Sequence, residues 1–205
     1  YNSGQSCCGI ERIYVQAQHF DYFVEKTVSL VQQYKLGNPM DSSTTLGPMV
    51  SPKAAAHVQQ QIQQAQAAGA RALIHPHHFS VPDYPTYVAP QVLIDVDHSM
   101  ALMQAETFGP AIGIMPVKDD AEAIQLMNDS CFGLTASIWT QNKDQAIALG
   151  RELETGTVLM NRCDYLDPAL VWTGCKDSGR GYSLSTLGYQ QLTRAKSYHL
   201  KLNIS

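Results

Sequence analysis

Cys7 is the residue best placed for chemistry, in the run Asn2-Ser3-Gly4-Gln5-Ser6-Cys7-Cys8-Gly9-Ile10-Glu11-Arg12. A thiol in a Gly-Gln-Ser turn, followed by an expected helical turn and the apolar strand Ile13-Tyr14-Val15, is positioned for nucleophilic attack. The attacking species is the thiolate, and a helix N-terminus beside it favours that anion. Most cysteines are small buried hydrophobes, so spacing alone leaves both readings of Cys7 open. In Glu106-Thr107-Phe108-Gly109-Pro110, Glu106 taken alone could be a surface charge. Phe108 taken alone reads as an ordinary core aromatic. His75, His77 and His78 resemble a metal cluster, but no carboxylate or cysteine completes a ligand set. They read as exposed imidazoles on a loop, and no metal site is expected.

These side chains must be held by an alternating α/β chain. Phe20, Phe23, Val24, Val28, Val31 and Tyr34 recur at helical spacing and predict a helix over 19–35, ended by Gly37 and Pro39. A Ser-, Thr- and Pro-rich loop over 41–52 precedes a second helix over 53–68, which Gly69 stops before a short strand at 71–74. The proline-rich stretch 75–90 is irregular. Strands are expected at 92–94, 111–115, 135–139 and 157–160, with one helix capped by Asp119 or Asp120 and ending near Asn128 and another over 143–154, stopped at Gly156. Repeated strand–helix–strand units predict an open, mainly parallel sheet with helices on both faces. The alternating segment 196–204 predicts a terminal edge strand able to pair with another chain.

Composition narrows the classes. The chain has 205 residues, 44% apolar and 16% charged, enough for one large domain with a proper core. A net charge of -4 offers no basic footprint for nucleic acid or an anionic membrane surface. No apolar run approaches the roughly 20 residues needed to span a bilayer, and no signal-peptide pattern is present. The five cysteines (7, 8, 131, 163 and 175) are odd in number and lack metal spacing, which suits a reducing compartment and predicts the cytoplasm. Because the chain opens at Tyr1, already inside a motif, it is expected to be a piece of a longer protein.

Six motifs in one order resemble the catalytic, C-terminal domain of the NAD(P)-dependent aldehyde dehydrogenase superfamily. They are Asn2-x-Gly4-Gln5-x-Cys7 with Arg12, Gly37-Asn38-Pro39-x-Asp41 with Gly47-Pro48, Glu106-Thr107-Phe108-Gly109-Pro110, Asn128 with Phe132–Ala136, Gly156–Asn161, and Gly174-Cys175-Lys176-x-Ser178-Gly179 with Gly188. The resemblance implies oxidation of an aldehyde to a carboxylic acid through a thiohemiacetal and a thioester on Cys7. It implies that Cys8 is a structural neighbour, that the Cys7 amide helps hold the oxyanion, and that NAD or NADP accepts hydride. Glu106 would meet the nicotinamide-side ribose, Phe108 would pack beside it, and Trp172 and Asn161 would line the substrate pocket. Residues 1–195 then form the catalytic domain and 196–205 the oligomerisation strand of a homodimer or homotetramer. No Gly-x-Gly-x-x-Gly occurs, so the main cofactor-binding region is expected upstream, as a partner segment of the same protein. The chain alone is therefore expected to be inactive as a dehydrogenase. Two alternatives remain open at this level, a thiol esterase or acyl-transfer activity through Cys7 and a non-catalytic oligomerisation module.

Overall fold

A computed structural model describes residues 1–75 and 77–203. The elements in chain order are β1 (Arg12–Gln16), α1 (Phe20–Val31), α2 (Pro52–Ala67), β2 (Arg71–Ala72), β3 (Gln91–Ile94), α3 (Ala101–Gln104), β4 (Ala111–Val117) and α4 (Asp120–Asn128). They continue with β5 (Phe132–Gly133), β6 (Thr135–Ile138), α5 (Lys143–Glu152), β7 (Thr157–Met160), β8 (Trp172–Thr173), β9 (Cys175–Lys176), β10 (Tyr182–Ser183) and α6 (Gly188–Gln191). The main sheet has four strands in the order β1-β4-β3-β2. β4 pairs in parallel with both β1 and β3, whereas β2 joins the β3 edge antiparallel. β6 and β7 form a separate parallel pair, and β5–β9 and β10–β8 are short antiparallel ones.

Alternation along the parallel strands divides the core between the two faces of the sheet. Ile13, Val15, Ile114, Val92 and Ile94 face the layer that includes Phe20, Val24, Val28 and Val31 of α1. Tyr14, Met115 and Leu93 face the opposite layer, which holds Ala55, Val58 and Ala65 of α2 and Leu102 and Met103 of α3. The Ser51 hydroxyl accepts from the Ala54 amide to cap α2, and Pro52 occupies its first turn. Asp119 caps α4 by accepting from the Glu122 amide at 2.9 Å.

Several boundaries depart from expectation. α1 ends at Val31, and Lys35, the last residue expected in it, is committed elsewhere: its amide donates to Thr45 Oγ1 and its carbonyl accepts from the Thr45 and Leu46 amides. The strand expected over 71–74 stops at Ala72, because the Gln91 side chain takes over from the backbone ladder. Its Oε1 accepts from the Ile74 amide and its Nε2 donates to the Ile74 carbonyl. The helical turn expected after Cys7 is absent, because residues 5–11 form a turn and an extended run that β1 then continues. Residues 194–203 are exposed and belong to no helix or strand of this chain, so the expected terminal strand has no ladder here. Pro76, Ile204 and Ser205 lie outside the described residues. No helix among the described residues is long and apolar enough to cross a membrane.

Candidate active site

The turn bearing Cys7 is fixed by side chains that precede it. Ser3 Oγ donates to the Gly47 carbonyl at 2.9 Å. Gln5 spans the same loop, donating through Nε2 to the Pro48 carbonyl at 3.3 Å and accepting at Oε1 from the Val50 amide at 2.7 Å. The Gly47-Pro48 motif thus serves as the anchor of the turn that bears Cys7. Gly4 has φ +74°, and a Cβ there would lie 2.2 Å from the Gly109 carbonyl oxygen. Only a glycine lets these two backbones touch. Gly109 in turn leaves no room for a Cβ, which would lie 2.3 Å from Val58 Cγ2 of α2. The glycine contact therefore brings the turn of Cys7 and the segment of Glu106 and Phe108 together.

The two adjacent cysteines differ sharply. Cys7 is exposed and Cys8 is buried. The Cys8 thiol and the Ser6 hydroxyl each donate to Asp164 Oδ1 at 2.9 Å. Burial, reinforced by the Asp164 carboxylate, pushes the Cys8 thiol up from 9.0 to about 11, with the Ser6 hydrogen bond opposing. Cys8 is thus held as a thiol, while Cys7 is the one of the pair open to a reactant. Within the turn, the amides of Gly4, Gln5 and Gly9 make backbone hydrogen bonds. Among the described residues, the Cys7 amide makes none.

Phe108 sits at φ +50° and is 39% exposed, its ring lining an open cleft of about 620 Å³ with Asn2, Gln5, Met49 and Val50. Glu106, two residues earlier, is exposed. The segment is pinned from below by a residue that motif reading did not single out. Glu11 Oε1 accepts from the Thr107 amide at 3.0 Å and the Phe108 amide at 2.8 Å. Burial raises the Glu11 carboxyl above its usual range, and the two amides partly offset that. The grip of Asp164 on Ser6 and Cys8, made across more than 150 residues, left no signal in the local sequence.

Asn161 and Trp172 bound the loop that carries Asp164. Asn161, at φ +55°, is exposed and spends its amide on Thr140, accepting from its N–H at 3.0 Å and donating to its carbonyl at 2.8 Å. That pair fixes the start of the loop. Trp172 is half-buried on β8, opposite Ser183 of β10. Asp164, between them, ties the loop to the turn that bears Cys7. Of the histidines, the His75 and His77 rings lie tilted to each other with centroids 5.5 Å apart, and His78 meets Phe79 edge-on.

Comparison with known proteins gives these contacts a context. The family model described as "Aldehyde dehydrogenase family" matches residues 1–198. An aldehyde dehydrogenase of Emericella nidulans is 33% identical over 202 residues, which is 98% of this chain and 40% of that protein. A betaine aldehyde dehydrogenase from Staphylococcus aureus, solved in complex with NAD+, superposes with a TM-score of 0.86 at 30% identity, covering 93% of this chain and 38% of that one. A succinic semialdehyde dehydrogenase from Streptococcus pyogenes, solved with NADP+, gives 0.86 at 34% identity, covering 92% and 41%. The chain thus spans about 40% of the length of the curated relatives it matches.

Proposed function

We propose, given that this chain belongs to the aldehyde dehydrogenase family, that it supplies the nucleophile Cys7 for NAD(P)-dependent oxidation of an aldehyde to a carboxylic acid. The observation that carries this reading is the division of labour between neighbours: Cys7 is exposed, whereas Cys8 is buried against Asp164. The Cys7 thiolate adds to the aldehyde carbon, forming the C–S bond of a thiohemiacetal and placing negative charge on the former carbonyl oxygen. The Cys7 amide, uncommitted among the described residues, is a donor for that oxyanion. Loss of hydride from the carbon leaves a thioester on Cys7, which water then cleaves to release the acid and restore the thiol.

The residues present fit a nicotinamide cofactor. Glu106 is an exposed carboxylate able to accept from two vicinal hydroxyls, and Phe108 presents an exposed ring in the cleft beside the nucleophile turn. When bound, that cofactor supplies the hydride acceptor. Trp172 and the loop begun by Asn161 form the substrate side of the site in this reading, and its aromatic lining suits a hydrophobic or medium-sized aldehyde. The remaining cofactor-binding region belongs to a further segment of the protein, on which dehydrogenase activity depends. Residues 196–205 serve as the pairing strand of a homodimer or homotetramer, consistent with Leu200 and Leu202 standing 79% and 94% exposed.

The test uses the intact protein that carries this chain, with an aldehyde panel and NAD+ or NADP+, followed by formation of the reduced cofactor. Cys7→Ser is expected to abolish turnover, whereas Cys8→Ser keeps most of it, since a hydroxyl also donates to Asp164. Retained turnover in Cys7→Ser refutes the assignment.

A further inference from the structure

We infer that the consecutive pair Glu11 and Arg12 is a clamp that positions the cofactor-facing segment, with Glu11 the positioning residue for Phe108 and Glu106. The inference rests on the dehydrogenase reading and adds a residue to it.

Phe108, a bulky residue, holds φ +50°, a region in which its Cβ is crowded and its backbone strained. Such a residue stays there only when its surroundings determine it. Here the determinant is one carboxylate oxygen: consecutive amides of Thr107 and Phe108 converge on Glu11 Oε1 at 3.0 and 2.8 Å. A left-handed residue turns successive N–H groups inward to make a concave anion seat. Glu11 fills that seat, and hydrogen bonds to a charged acceptor are the stronger kind. Arg12 acts on the other end, its Nη1 donating to the Met103 carbonyl at the end of α3, 3.3 Å away. Two adjacent side chains thus grip residues 103 and 107–108, and Glu106 lies between the grips.

The anchor of this clamp is rigid and shared with the nucleophile. The Glu11 carbonyl accepts from the Gly113 amide at 3.1 Å, where β1 enters the sheet beside β4. Glu11 follows Cys7 by four residues, so the strand entry that ends the nucleophile turn also sets the height of the Phe108 ring. Neither grip touches Cys7 itself. The clamp therefore governs how the cofactor sits against the thiol, not whether the thiol reacts.

That separation defines the experiment. In the intact protein, dehydrogenase kinetics with NAD(P)+ are compared with cofactor-free hydrolysis of p-nitrophenyl acetate, which needs Cys7 but not Phe108. Glu11→Ala is expected to raise KM for the cofactor about 10–100-fold, from the loss of two charge-assisted hydrogen bonds, while ester hydrolysis stays within about twofold. Glu11→Gln keeps a carbonyl oxygen for both amides and restores most of the cofactor affinity. Glu11→Asp, one methylene short, behaves like the alanine variant. Unchanged cofactor KM in Glu11→Ala overturns the inference. So does a parallel loss of both activities in the alanine and aspartate variants, which would make Glu11 a general support of the fold. If the unmodified protein reduces neither NAD+ nor NADP+ with any aldehyde of the panel, the dehydrogenase reading itself falls and takes this inference with it.

Discussion

Alkylation of the adjacent cysteines is where the geometry makes its sharpest numerical claim. Burial and the Asp164 carboxylate raise the Cys8 thiol from 9.0 to about 11. Near pH 8 the thiolate fraction of Cys8 is then about 10⁻³, against about 10⁻¹ for an unshifted thiol, and only the thiolate attacks. Iodoacetamide should therefore label Cys8 about 100-fold more slowly than an exposed, unshifted thiol, before counting the steric block of its 5% exposure. The assay is a time course at several pH values, with each cysteine followed on its own peptide by mass spectrometry. Asp164→Asn supplies the perturbation. It removes the negative charge but leaves Cys8 buried, so labelling of Cys8 should accelerate several-fold yet stay behind Cys7. Asparagine also tolerates the φ of +48° at this position, so the loop backbone is not newly strained. Equal rates for Cys7 and Cys8 in the unmodified protein would refute the reasoning. An unaltered Cys8 rate in Asp164→Asn would remove Asp164 from the explanation and leave burial alone.

Two further outcomes follow from the same contacts. The raised folded-state value of Cys8 means that its contribution to stability is complete below the unfolded value of 9.0 and is lost as pH rises through about 11. Denaturation midpoints measured across that window should show the unmodified protein losing stability relative to Cys8→Ser as pH rises; parallel curves would contradict the shift. At the backbone contact, Gly4→Ala forces a Cβ to 2.2 Å from the Gly109 oxygen at φ +74°. It should cost about 3 kcal/mol or more and depress cofactor affinity through the displaced Phe108 segment. A thermal shift of less than about 2 °C with unchanged cofactor KM would show that the contact can give way.

What could be read from the residues, and what could not, divides along the range of the forces involved. The sheet was legible because β1, β3 and β4 carry apolar residues in short runs that only a sheet covered on both faces can bury. The ends of the elements were less so, since they are decided by a few distant contacts: Thr45 and Leu46 claim the Lys35 backbone beyond α1, and the Gln91 amide ends β2 by imitating a strand. The expected helix N-terminus at Cys7 failed for a related reason. Gly4 and Gln5 are committed to Gly109 and to Pro48 and Val50, and β1 begins too soon afterwards for a helical turn to form.

The candidate site shows the same division in chemical terms. A motif identifies a side chain whose type suits a reaction, which is how Cys7, Glu106 and Phe108 came forward. It does not identify the groups that hold such a side chain in place, because their partners lie far along the chain: 96 residues separate Glu11 from Thr107, and 156 separate Cys8 from Asp164. What a carboxylate does depends on which donors converge on it. Glu106, whose motif suggests a ligand, stands exposed, whereas Glu11 is occupied with two amides beneath it and Asp164 with a thiol and a hydroxyl. The two occupied carboxylates hold different segments, Glu11 the one that carries Phe108 and Asp164 the loop that follows Asn161. Because their contacts share no partner, their losses should combine additively. Glu11→Ala together with Asp164→Asn should therefore show the sum of the two single effects on dehydrogenase ΔΔG‡, and an excess beyond about 0.5 kcal/mol would mean that the two segments communicate through the turn that bears Cys7.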